Sequence, residues 1–252
     1  SVTTGIRNTL IGALAGDAIT DADHNVAVGA LSLTTNQLGS KSTAIGDGAL
    51  SDQNPATATD MYNVAVGHNA GNVVTTGIQN VLLGGRSGDA LTDADFNTAL
   101  GDSTLSLDTL GSRNVAIGYA ALNQQNFTTA TDSYNVAVGA LAGLNVTSGL
   151  QNTLIGGLAG DALTDADNNT AVGYLALTTN QLGSGNTAIG VDALSTSNPA
   201  TAAITYNTAV GFQCGKSVTT GVRNTLIGGN AGDAITDGDD NTFIGYVTGT
   251  YQ

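Results

Sequence analysis

A chain of 252 residues with six Lys and Arg against twenty acidic residues, every one an Asp, carries a formal charge of −14. That balance excludes electrostatic attraction to nucleic acid or an anionic membrane, and Asp without any Glu excludes a largely helical chain, because Asp favours turns and caps. The single Cys, beside thirty-five Gly, excludes a disulfide framework within the chain.

In chain order, a five-residue phrase running from Asn to Gly opens first at Asn8 and then at Asn25, Ser42, Asn63, Asn80, Asn97, Asn114, Asn135, Asn152, Asn169, Asn186, Asn207, Asn224 and Asn241. The steps between openers are 17, 17, 21 and 17 residues, a unit of 72 that then recurs. A repeat this short cannot hold its own core, so each is one coil of a solenoid. The fold expected is all-β, a parallel β-solenoid of about fourteen coils forming one region over 1–252. Stacked at about 4.8 Å, fourteen coils would extend roughly 65 Å. Because 1–8 (SVTTGIRN) recurs almost unchanged at 217–224 (SVTTGVRN), the sequence reads as a piece of a longer repetitive protein. No window reads as a secretory signal, and no apolar run of about 18 residues is long enough to span a bilayer.

With the opener as position 1, position 2 is always Thr or Val, position 3 is Ala, Leu or Phe, and position 4 is always Ile, Val or Leu. On an extended strand positions 2 and 4 share one side and position 3 takes the other. The expectation is that position 4 fills the coil interior and position 3 faces a partner chain, since a strand apolar on both faces is covered on both. Position 5 is Gly throughout, and a second Gly commonly stands three residues before the next opener. This gives two short strands and two turns per coil, with the Asn openers stacked as a hydrogen-bonded ladder. So narrow a coil buries few aliphatic side chains against the cost of ordering its backbone, which favours association of copies into a homotrimer.

Three features could carry recognition. The 21-residue steps insert 51–62, 123–134 and 195–206, each ending in Tyr. Their candidate contact residues are Asn54, Pro55, Tyr62, Asn126, Phe127, Tyr134, Asn198, Pro199 and Tyr206. Either the insertion is a structural bulge that its Tyr pins to the roll, or it is a protruding contact loop. Next, Asp17, Asp21 and Asp23 recur in every fourth coil. Clustered carboxylates can hold calcium, but this spacing matches no established calcium loop, and turn formation is the simpler role. Position 6 varies and carries His68, Tyr119, Tyr174, Phe212 and Tyr246, an edge that could meet sugars or a protein receptor.

No catalytic set is visible: His24 and His68 occupy different coil positions, and Cys214 stands at position 8, which is small in every coil. The nine Thr and five Val at position 2 also raise ice binding. A side shared with position 4 argues that this ladder points inward.

The phrases NTLIG, NVAVG and NTAIG resemble the YadA-like head repeat of trimeric autotransporter adhesins, and closely similar strings occur in phage tail-fibre-like proteins. The resemblance covers essentially the whole chain. It implies a left-handed parallel β-roll, a homotrimer, an extracellular location on a bacterial surface or a virion tail fibre, and non-enzymatic attachment to a host-surface receptor or glycan. No cofactor, metal, nucleic-acid partner or membrane insertion by this segment is implied. Coils of 17 and 21 residues are longer than the commoner head coil, and no neck, coiled-coil, anchor or chaperone segment lies within these residues.

Overall fold

The computed structural model describes residues 2–249, among which there are twenty short strands and no helix. The chain forms two compact units, Ser1–Ser133 and Tyr134–Gln252. In the first, Thr9–Ile11, Val26–Val28, Thr43–Ile45, Val64–Val66, Val81–Leu83, Thr98–Leu100 and Val115–Ile117 pair in parallel, position against position. The second repeats the pattern with Val136–Val138, Thr153–Ile155, Thr170–Val172, Thr187–Ile189, Thr208–Val210, Thr225–Ile227 and Thr242–Ile244. The fold is a parallel β-solenoid of about fourteen coils, seven in each unit.

The faces of the strand are the reverse of the expectation. Position 3 is the interior: Ala27, Ala44, Ala65, Leu82, Ala99 and Ala116 in the first unit are wholly buried, as are Leu154, Ala171, Ala188, Ala209 and Leu226 in the second. Position 4 points outward, with Ile11 60% and Ile155 39% exposed. The reason is volume. One strand residue in three enters the coil, where it shares the cross-section with positions 8, 9 and 12: it is Ala beside a Leu at position 9, and Leu82, Leu154 and Leu226 enter where position 9 is Gly88, Gly160 and Gly232. β-Branched Thr, Val and Ile suit the pleated outer surface.

That cross-section also explains the alternation at position 9. Where position 9 is Leu (Leu33, Leu50, Leu105, Leu122, Leu177, Leu194), position 12 is a buried polar residue: Asn36, Gln53, Asp108, Gln125, Asn180 or Ser197. Where it is Gly, position 12 is aliphatic, as at Ile19, Leu91 and Leu163. A Cβ on Gly88 would lie 2.8 Å from Leu91 Cδ1. Packing at crystal-like density allows a bulky apolar group at position 9 or at position 12 of a coil and not at both.

The ladder of openers is as expected. Opener Asn Oδ1 atoms accept the backbone N–H of the next opener, as Asn63 does from Asn80 at 2.9 Å. In most coils the Nδ2 donates to a carbonyl fourteen residues on, as Asn80 does to Ala94 at 2.8 Å, whereas Asn186 donates to Asn169 Oδ1 and the buried Asn169 Nδ2 has no partner among the described residues. Ser42 has no amide. Gln53, supplied by the insertion, takes over by accepting from Ser42 Oγ and from Asn63 Nδ2, both at 3.0 Å. The Gly at position 5 has a different cause. Gly29 has φ of +136°, and a Cβ there would sit 2.4 Å from the carbonyl oxygen of Gly46 in the next coil.

A second strand in every coil does not form. Among the described residues it exists only beside the insertions, as Gly39–Ser40 with Thr59–Asp60, Gly111–Ser112 with Thr131–Asp132, and Gly183–Ser184 with Ala203–Ile204. Elsewhere the return path is a run of turns whose N–H groups still bond to the neighbouring coil, as Thr75 does to Thr92 at 2.9 Å.

Candidate recognition surface

The insertions do not protrude as whole loops. Pro55, Phe127 and Pro199 are buried, with Phe127 lying over the turn at Gly111 and Pro199 over Gly183. Asn54, Asn126 and Asn198 are exposed, yet each joins its neighbouring coil: Asn54 Oδ1 accepts from Gln37 N, Asn126 Oδ1 from Thr109 Oγ1, and Asn198 Oδ1 from Gln181 N. The insertion thus widens one coil and fills it. Residues 56–58, 128–130 and 200–202 reach solvent, as does the closing Tyr, with Tyr62 49%, Tyr134 50% and Tyr206 61% exposed.

Tyr62 belongs to a column that the sequence reading missed, the residue immediately before each opener. In the first unit this column runs Arg7, His24, Lys41, Tyr62, Gln79, Phe96, Arg113, all exposed. Throughout the chain the position is left-handed, with φ from +50° at Tyr206 to +75° at Gly185. Lys41 Nζ lies 2.6 Å from Asp60 Oδ2 and 3.0 Å from Tyr62 Oη, and these partners hold its ammonium above the ordinary lysine value. Arg113 repeats the arrangement with Asp132 at 3.0 Å. The third insertion has Gly185 and Ile204 where these pairs stand. The signal was available: four of the chain's six cationic residues (Arg7, Lys41, Arg113, Arg223) occupy this single coil position.

The repeated Asp turns do not converge. Asp23, Asp95, Asp167 and Asp239 each accept a backbone N–H from the preceding coil, from Ile6, Ile78, Leu150 and Val222 at 2.7–2.9 Å. Asp21 accepts from Thr4 and Asp17 from Thr34, both at 2.7 Å. These carboxylates stitch coil to coil. Among the described residues no group of three or more His, Cys and Asp is placed to hold a metal ion. Burial raises Asp89, Asp95 and Asp161 above the ordinary carboxylate value. Cys214 is buried, its Sγ 3.1 Å from the Leu226 carbonyl, and desolvation pushes the thiol up to about 11, so it stays protonated and inert at neutral pH.

Two further surfaces remain. At position 6, His68, Tyr119, Tyr174, Phe212 and Tyr246 are all exposed. On the strand face, positions 2 and 4 together present Thr or Val beside Ile, Val or Leu on every rung of each unit.

No family model matches the chain, and no curated protein or solved structure does.

Proposed function

We propose that this chain is a structural and adhesive segment of an extracellular trimeric fibre, of the YadA-like head or tail-fibre-like kind, that attaches a bacterium or a phage to a surface without catalysing a reaction. The observation that carries the reading is the outward face of positions 2 and 4. Each unit displays seven rungs of Thr/Val next to Ile/Val/Leu, a flat and largely aliphatic strip on a parallel ladder. Parallel sheets are covered on both faces, and an exposed apolar strip of this extent marks an association surface. A second and third copy of the same chain offer the same strip in the same period, which makes the strip self-complementary around a long axis. Attachment then works by multivalency: identical edges repeat along and around the fibre, so weak contacts add in effective concentration.

Light scattering on the purified chain tests the association. A species of three times the chain mass is expected, and a stable folded monomer would overturn it. Attachment is tested by binding of the fluorescently labelled chain to host cells.

The outward Thr ladder also favours a second reading, water ordering at an ice surface. Thr153, Thr170, Thr187, Thr208, Thr225 and Thr242 occupy six consecutive rungs of the second unit, and the inward orientation that argued against ice binding does not hold. Thermal hysteresis distinguishes the two: a fibre whose strip is covered by sister chains gives none.

A further inference from the structure

We propose that the exposed column of the first unit binds a short linear glycan along the run Lys41, Tyr62, Gln79, Phe96, Arg113. The proposal rests on the attachment reading and names the partner class of one of its surfaces.

The composition of the column is not set by the fold. Its backbone is left-handed at every rung, a conformation that suits Gly, Asn and Asp and disfavours large side chains. Only one of the chain's twenty Asp stands there, whereas four of its six cations and three of its seven Tyr do. Those side chains lie on the outside of the coil and touch one another, so filling the interior does not call for them either.

The run also has an internal order. Consecutive rungs are tied by backbone bonds, with Gln79 N donating to Met61 O at 2.8 Å, Phe96 N to Ile78 O and Arg113 N to Asp95 O, both at 3.0 Å. Four steps of about 4.8 Å place its ends about 19 Å apart. The two aromatic rings flank the Gln79 amide. A cation lies over one face of each ring, Lys41 Nζ 5.1 Å from the Tyr62 ring centre and Arg113 Cζ 4.6 Å from that of Phe96. Each cation is in turn held by a carboxylate, Asp60 or Asp132. The run therefore reads nearly the same from either end: charge pair, ring, amide, ring, charge pair.

A sugar chain has the complementary chemistry. Its rings offer apolar C–H faces to the parts of Tyr62 and Phe96 that the cations leave exposed, 49% and 37% of these residues being open to solvent. Its hydroxyls are donors and acceptors together, and they match an amide and two mixed-charge pairs better than a purely cationic strip. A polyanion is disfavoured, because both cations already face carboxylates on a chain of net charge −14. An added β-strand is disfavoured as well, since the backbone N–H groups of Gln79, Phe96 and Arg113 already bond to the neighbouring coil. The second unit supplies a built-in control. Around its Tyr206 the corresponding places hold Gly185, Ile204, Arg223 and Asp240, so the leading charge pair, the amide and the second ring are all missing.

The test is surface binding of the full chain to immobilised cellopentaose, chitopentaose and maltopentaose, with a heparin fragment and a proline-rich peptide alongside. Binding to at least one of the three oligosaccharides is expected. It should weaken about tenfold or more in the double variant Tyr62→Asn/Phe96→Asn and stay unchanged in Tyr206→Asn. Asn tolerates the left-handed backbone, so the variants keep the fold, which unchanged melting verifies. Binding to none of the three oligosaccharides, binding to heparin or peptide alone, or full binding by the double variant would each overturn the proposal. Cell attachment that survives the double substitution removes this column and leaves the attachment reading standing. Oligosaccharide binding without cell attachment does the reverse.

Discussion

Ala188 and Ile189 are consecutive residues on one three-residue strand and face opposite ways, Ala188 wholly buried in the coil and Ile189 38% exposed on its outer face. Between the two end rungs each strand repeats the relationship, with position 3 buried and position 4 half-buried or exposed, so two adjacent positions separate folding from association. Ala188→Leu forces three extra carbons into a filled cross-section and is expected to cost about 2 kcal/mol or more, read as a lower denaturant midpoint. Ile189→Lys places a charge on the strip proposed to be shared between copies. It should leave the far-UV circular dichroism unchanged while converting the proposed trimer to monomers in light scattering. If Ile189→Lys unfolds the chain and Ala188→Leu is neutral, the assignment of faces is wrong.

The ladder of openers makes a second quantitative expectation. Asn80 accepts from the Asn97 N–H at 2.9 Å and donates to the Ala94 carbonyl at 2.8 Å, all within the buried interior. Asn80→Ala leaves both groups unpartnered, at a cost of about 3 kcal/mol. Gln53→Ala should be nearly as damaging although Gln53 lies in the insertion, because both Ser42 and Asn63 depend on its carbonyl oxygen. Urea denaturation of the two variants checks this, and a Gln53→Ala change within about 0.5 kcal/mol of the parent contradicts the substitute role.

Periodicity carried most of the fold. The openers fixed coil number and register, and constant smallness at position 8 located the tight inner wall, including Cys214. Facing was harder to read, because a strand apolar on both sides has no hydrophobic phase: Ala and Ile both look like core. The deciding fact is the volume shared among positions 3, 8, 9 and 12, and the exchange of Leu33 with Asn36 for Gly88 with Leu91 records it in the sequence. Among the described residues the second strand forms only where an insertion supplies one partner, as Thr59–Asp60 does for Gly39–Ser40, and elsewhere the same stretch is turns. Tyr62 was singled out, but as part of a loop. Its place in a column with Lys41 and Phe96 follows from the residue before each opener, a position that is variable and therefore looks uninformative until read down the stack.

Cys214 gives a simple probe of coil opening. Its thiol is buried and pushed up to about 11 by desolvation, so a disulfide reagent at pH 8 should modify it at the rate of local opening and far more slowly than a free thiol. Cys214→Ala should cost about 1 kcal/mol or less, since Ala occupies the same slot in most coils. Rapid labelling of the native protein would show an accessible sulfur and count against the packing described.

Asp108 is the one buried carboxylate placed where the other two 72-residue units carry Asn. Asn36 and Asn180 each close their turn with two bonds, accepting from the N–H of Gly39 or Gly183 and donating to the carbonyl of the same Gly at 2.7 Å. Asp108 accepts from Gly111 N at 3.1 Å and from Gln125 Nε2 at 2.6 Å, but an ionised carboxylate cannot donate to the Gly111 carbonyl. Burial raises its pKa above the ordinary 3.8 despite these bonds. A group whose folded pKa is raised contributes fully below its unfolded value, and that contribution is lost as pH rises through the folded value. The parent should therefore lose stability as pH climbs from about 4 toward neutrality, whereas Asp108→Asn should lack this part of the dependence. The variant is expected to be more stable at pH 7 by about 1–2 kcal/mol, with the gap closing near pH 4. Asp89, Asp95 and Asp161 titrate in both proteins and cancel in the difference. Urea midpoints at the two pH values decide it: a gap of equal size at both, or a less stable variant at pH 7, means that the Asp108 charge is not the origin of the strain.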